Sequence, residues 1–134
     1  MSSKPLTKKS IADMVHKGHS LAQLDLRGID LSGINFDGAD LQNTKFATSN
    51  LTRCTFRGAN LRGASLWHAD CKDTVFDTAN LEDADLDMTN LDGATFKGAR
   101  IRRAILPNGR NSLSEIELSI RTGRRVTITR ASSE

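Results

Sequence analysis

The chain has 134 residues, with a hydrophobic share of 37%, aromatics at 4%, no tyrosine and a formal net charge of +3. That length allows one domain, and the poverty in large side chains means its core must be built from many small contributions. No apolar run approaches the 18 or so residues needed to span a membrane. The opening "MSSKPLTKKSIADMVHKGHS" also lacks an apolar stretch of signal-peptide length, so a cytoplasmic protein is expected.

Residues 1–23 form a leading segment with one short predicted helix, residues 10–17. Ser10 followed by Asp13 resembles a capping box with Asp in place of Glu, and Gly18 suits a helix stop. Ile11, Met14 and Val15 fall on one face, which is expected to cover Leu24, Leu26 and Ile29. His16 and His19 lie three apart near the helix end; with no third ligand nearby they read as solvated surface, not as a metal site.

From Leu24 the chain divides into fives without an insertion, through LDLRG, IDLSG and INFDG to ARIRR and AILPN. There are 17 such quintets, covering residues 24–108. The third position is Leu, Phe or Ile in 16 of them and Cys71 in the other; the first is Ala in nine. Neither the 3.6-residue period of a helix nor the two-residue period of a strand produces this. A strict five means that the chain turns a corner once per quintet, with first and third residues inward and the others outward. The frequent fifth-position glycines suit such corners.

The number of sides follows from a second period. Phe36, Phe56, Phe76 and Phe96 are spaced by 20, as are Ala39, Ala59, Ala79 and Ala99. Four quintets therefore close one coil and these eight residues stack in core columns, each coil adding about 4.8 Å, the spacing of neighbouring strands. Cys54 and Cys71 fall on inward positions and are expected to be reduced, buried thiols. The outward columns Asp37–Arg57–Asp77–Lys97 and Arg62–Glu82–Arg102 alternate in sign, and Arg53 stacks under Asp73, an arrangement that helps fix the register.

These quintets resemble the A(D/N)LXX repeats of the pentapeptide-repeat family over about 85 residues. The resemblance implies an all-β solenoid, a right-handed quadrilateral β-helix, here with a short N-terminal capping helix and a C-terminal helix/strand cap. Only the four sides follow from periodicity alone; the handedness comes with the family. Members often dimerise end to end, so a homodimer through the C-terminal segment is expected. The opening "IADMVHKGHSLAQLDLRGIDLSG" is also similar to the start of repeat segments in bacterial proteins associated with secretion systems.

Residues 109–134 form the cap or dimerisation segment. "NSLSEIELSIRTG" reads as a helix closed by Gly123, and "RRVTITR" alternates like a strand through Val126 and Ile128. That strand would either cover the final coil or pair with a second molecule. The closing "ASSE" is expected to fray.

A filled rod offers no pocket in which unlike groups converge, so no enzyme, no catalytic residue and no cofactor are expected. Its function is then that of a protein–protein interaction module or adaptor with a protein partner. The family's quinolone-resistance members, which mimic DNA and bind gyrase, supply the alternative. Against that alternative, residues 24–106 carry 12 acidic and 10 basic side chains, so no continuous acidic band forms. Direct nucleic-acid binding is disfavoured by the lack of stacking aromatics. The strongest surface feature is Trp67, outward at the fourth position of its quintet, with His68 beside it and Met88, Asp85 and Asp87 one coil on. An outward indole with Met and His neighbours has the composition of a protein-contact hot spot. Otherwise a terminal segment folds back over it.

Overall fold

The computed structural model describes residues 5–109 and 111–128. Two helices, α1 (Lys8–His16) and α2 (Ser112–Thr122), flank a stretch in which the backbone pairs only through isolated parallel bridges. Each bridge joins a second-position residue to the one 20 positions later, from Asp25 with Lys45 to Asp85 with Ile105. A 20-residue offset repeated on every side is a four-sided coil. It is stitched by hydrogen bonds such as Leu26 N–H to Lys45 O (2.8 Å) and Gly28 N–H to Ala47 O (3.1 Å).

Every fifth-position residue from Gln23 to Arg103 has positive φ, between 57° and 79°. The third-position carbonyl accepts from the next first-position N–H, as in Ala59 to Phe56 (3.0 Å). A single left-handed residue at the third place of such a hydrogen-bonded reversal is the signature of a type II turn. The second position explains the consensus Asp or Asn. Its carboxyl or amide oxygen accepts the N–H two residues on, as Asn60 does from Arg62 (3.1 Å) and Asn80 from Glu82 (2.9 Å). Where Thr55 replaces it, Asp37 of the preceding coil accepts from Arg57 N–H instead (2.8 Å).

The phenylalanine columns stand as the 20-residue period predicts. Phe36, Phe56, Phe76 and Phe96 stack with ring centroids 5.0, 5.3 and 5.0 Å apart, while Phe46 meets Phe36 and Phe56 edge-on. Ala59, Ala79 and Ala99 are buried and Ala39, in the first coil, is half-buried. Each fully buried Leu or Phe contributes about 1.5–3 kcal/mol. Polar first-position residues stay inside by donating to a third-position carbonyl, that of the preceding quintet for Ser49 (2.6 Å to Phe46) and one coil back for the threonines. Thr44, Thr74 and Thr89 reach Leu21, Leu51 and Leu66 at 2.7–2.8 Å, and the Cys54 thiol reaches Leu31 at 3.0 Å. Cys54 and Cys71 are free and buried, as expected; burial raises the Cys54 thiol to about 11 and Cys71 in the same direction.

The ends differ in detail from expectation. Thr7, not Ser10, is the N-cap: its Oγ1 accepts from Ser10 N–H (3.1 Å) while the Ser10 hydroxyl accepts from Thr7 N–H (2.8 Å). Ser10 is thus the far half of the box, and α1 starts two residues earlier than predicted. Ile11 is buried in the core, with Met14 and Val15 half-buried beside it, and Gly18 closes the helix at φ 75°. The winding also reaches one quintet back from Leu24. Leu21 is buried, bonds Asp40 O through its N–H (2.9 Å), and Gln23 turns the first corner.

At the other end, α2 closes at Gly123 (φ 78°) as predicted, but residues 124–128 form no strand. They run extended over the last coil, where Val126 accepts from Gly93 N–H (2.9 Å) and donates to Ala94 O (2.8 Å). Ile120 O takes the N–H of Gly98 (3.0 Å) and the Ser119 hydroxyl takes that of Phe96 (2.9 Å). These acceptors stand where a further coil would put its backbone. The residues 131–134 expected to fray lie outside the described residues.

Candidate functional site

The side of the rod whose inward column is Leu26–Phe46–Leu66–Leu86 presents its second, fourth and fifth positions to solvent. Among the described residues the exposed large hydrophobics are Trp67 (43%), Met88 (54%), Ile105 (55%) and Leu113 (54%), and the first three share this side. Trp67 tilts against His68, ring centroids 5.2 Å apart at 52°. The backbone beneath is tied to both neighbouring coils: Trp67 O accepts from Thr48 N–H (2.9 Å) and His68 N–H donates to Asp87 O (3.1 Å). Both His68 and Met88 occupy left-handed corners, φ 59° and 60°, where glycine is favoured.

Asp85 and Asp87 lie one coil beyond Trp67. Asp85 Oδ1 accepts from Asp87 N–H (2.9 Å), and among the described residues no cation reaches ion-pair distance of either. The described part of the C-terminal segment, residues 111–128, leaves the indole exposed. Instead Ile128 and Pro107 border an open groove of about 830 Å³ beside it, with His68, Met88, Lys72 and Asp92 on the other wall. The sequence reading placed Trp67, His68, Met88, Asp85 and Asp87 on one surface, and the structure brings all five together. Ile105 was missed. Its signal was available, since it occupies the second position of AILPN, where Asp or Asn is usual.

Some of the other acidic groups are paired with arginine. Arg27 holds Asp25 at 2.7 Å and lowers its carboxyl to about 2. Arg57 meets Asp37 at 3.7 Å, in the predicted column. Among the described residues Asp77 and Glu82 form no ion pair with their column neighbours, and two of the expected stacks are replaced: Arg62 turns to Asp83 (3.4 Å) rather than Glu82, and Asp73 is held by Arg125 (3.2 Å) rather than Arg53. In both cases a neighbouring corner or the terminal segment offers a nearer partner than the column does. Asp83 also binds Arg103, at 2.6 Å, which lowers its carboxyl.

The interior is filled, but a second open groove, of about 810 Å³, lies where α1 meets the rod beside Lys8, His16, Ile34 and Asp37. Among the described residues no three His, Cys, Asp or Glu side chains are placed to hold a metal ion, and no helix is long and apolar enough to cross a membrane.

A family model of pentapeptide repeats matches residues 20–58, 54–87 and 69–108 in eight copies, and the chain belongs to that family. Its right-handed quadrilateral winding comes with this membership. A pentapeptide repeat protein of the Arabidopsis thaliana thylakoid lumen is 37% identical, with a TM-score of 0.58 over 59% of this chain and 55% of its own. One from Nostoc PCC 7120 is 29% identical, with a TM-score of 0.70 over 78% of this chain and 89% of its own. The chain thus spans little more than half of the Arabidopsis protein. QnrB1, a plasmid-mediated fluoroquinolone resistance protein, is 17% identical with a TM-score of 0.34, too slight a likeness to bear on function. No curated protein matches.

Proposed function

We propose that this chain is a non-catalytic protein-interaction module that meets its partner through the face carrying Trp67. The observation that carries this is that, among the described residues, three of the four exposed large hydrophobics stand on one side of a rod whose interior is packed with side chains. An aromatic anchor with apolar neighbours on a preorganised surface is the usual centre of a protein contact. The family supports the same direction, since repeat solenoids vary their outward residues without disturbing the core. An adaptor role, including one linked to bacterial secretion, belongs to this proposal. A homodimer through the C-terminal end would have to use the outer side of α2, where Leu113 is exposed, because Ile116, Ser119 and Val126 are already buried against the last coil.

DNA mimicry with binding to a topoisomerase ranks second. Pairing of Asp37, Asp73 and Asp83 with arginines breaks up the acidic surface that mimicry would need. A comparison of partners captured from source-cell extract by the wild-type chain and by Trp67→Ala tests the proposal. A partner lost with the indole supports it; an identical set recovered by both sinks it. Protection of gyrase from a quinolone at low stoichiometry would promote the second function above the first.

A further inference from the structure

The charge on the Trp67 face is not explained by the fold. On this face Asp25 is paired with Arg27, whereas Asp85 and Asp87, like Asp30, Asp40, Asp70, Asp77, Glu82 and Asp92 elsewhere on the rod, have no cation at ion-pair distance among the described residues. At position 85 the corner requires only an oxygen that accepts the Asp87 N–H, and Asn60, Asn80 and Asn90 do that work without charge. The Asp87 carboxylate takes no part in any corner. Two carboxylates without an ion-pair partner therefore sit in one coil, with Trp67 in the coil before and Ile105 in the coil after. Met88 adds an exposed apolar side chain at a left-handed corner, where glycine would be less strained.

We infer that this face receives a cationic, extended segment of a partner protein. An Arg or Lys side chain lies across the Trp67 indole with its charge against Asp87 and Asp85, and the segment's apolar side chains rest on Met88 and Ile105. The inference rests on the protein-contact function proposed above and names the chemistry of the partner. Its physics is a cation on an aromatic face, strengthened by carboxylates about one strand spacing away. The side measures roughly 20 Å by 10 Å along its backbone, four strand spacings by three residues, a shape that fits a single extended segment. About six extended residues cover the same 20 Å. A nucleic-acid backbone would be repelled by the same two carboxylates.

Trp67 is the chain's sole tryptophan, so its emission reports on this face alone. The full chain is titrated with three capped peptides free of tryptophan: Arg-Leu-Arg-Leu-Arg and its analogues with Glu or Gln in place of Arg. The Arg peptide is expected to give a saturable change in emission that weakens as salt rises, and the Glu peptide none. The double variant Asp85→Asn, Asp87→Asn keeps the acceptor at the corner and should weaken the Arg peptide about three- to tenfold. Asp30→Asn, on another side, should leave it unchanged. If the Gln peptide binds as tightly as the Arg peptide, or the double variant binds normally, the cationic inference is overturned while the protein-contact function stands. Silence from all three peptides also overturns it, and the protein-contact function is then decided separately by the Trp67→Ala comparison.

Discussion

At the scale of single residues the fold depends on one backbone conformation repeated at every corner. Seven of the corner residues are glycine and ten are not, so the coil tolerates a side chain in the left-handed region where the corner is otherwise well bonded. Two glycines separate the contributions. A Cβ on Gly58 would meet nothing nearer than the Thr78 hydroxyl at 3.9 Å, so Gly58→Ala should cost only the conformational term, about 1–2 kcal/mol. A Cβ on Gly63 would run into the carboxamide of Asn43, so Gly63→Ala should cost more. Urea titrations of the two variants check this order; equal losses would mean that the Asn43 side chain moves aside freely.

At the scale of elements, each cap works by supplying what the next coil would have supplied. The Ser119 hydroxyl is the sharpest case, because a side chain of α2 accepts the buried N–H of Phe96. Ser119→Ala leaves that N–H without a partner and should cost about 1–3 kcal/mol. Hydrogen exchange at Phe96 should accelerate beyond that of Phe56, whose N–H still meets Val75 O. The period of five, the four sides and the phenylalanine file were all legible in the sequence, because every coil repeats the same inward choice. The caps were less so, since each occurs once and no repetition corrects a misplaced boundary. Ser10 and Asp13 imitate a box that Thr7 and Ser10 actually form. The alternation of Val126 and Ile128 suggested a strand, but only Val126 finds backbone partners on the coil. The candidate face was legible for the same reason as the core, because the register alone sends Trp67, His68 and Met88 outward. What the register cannot rank is competition among nearby partners, which is why Arg62 and Asp73 depart from their columns.

At the scale of the whole molecule, the acidic residues form a distributed stabilising system. Asp25 is held at about 2 by hydrogen bonding to Arg27. Asp30 is lowered by the Ser32 backbone N–H, Asp40 by the Ser20 hydroxyl and the Gln42 amide, and Asp83 by Arg103. Each of these carboxyls is more acidic folded than unfolded, where a value near 4 is expected. The folded chain therefore binds fewer protons than the unfolded one between those values. The stabilisation is present above the unfolded value and is lost as pH falls through the folded ones, near 2 for Asp25. Thermal midpoints should hardly move from pH 7 to 5 and then fall as pH drops below 4. The four groups lie on three sides of the rod, so no single substitution should abolish the fall; Asp25→Asn should only make it shallower. Salt separates the causes. The arginine-held share, from Asp25 and Asp83, should shrink at high ionic strength. The share of Asp30 and Asp40, held by neutral donors, should persist. A midpoint that stays level down to pH 2 would show that these corner carboxylates do not stabilise the coil by their charge.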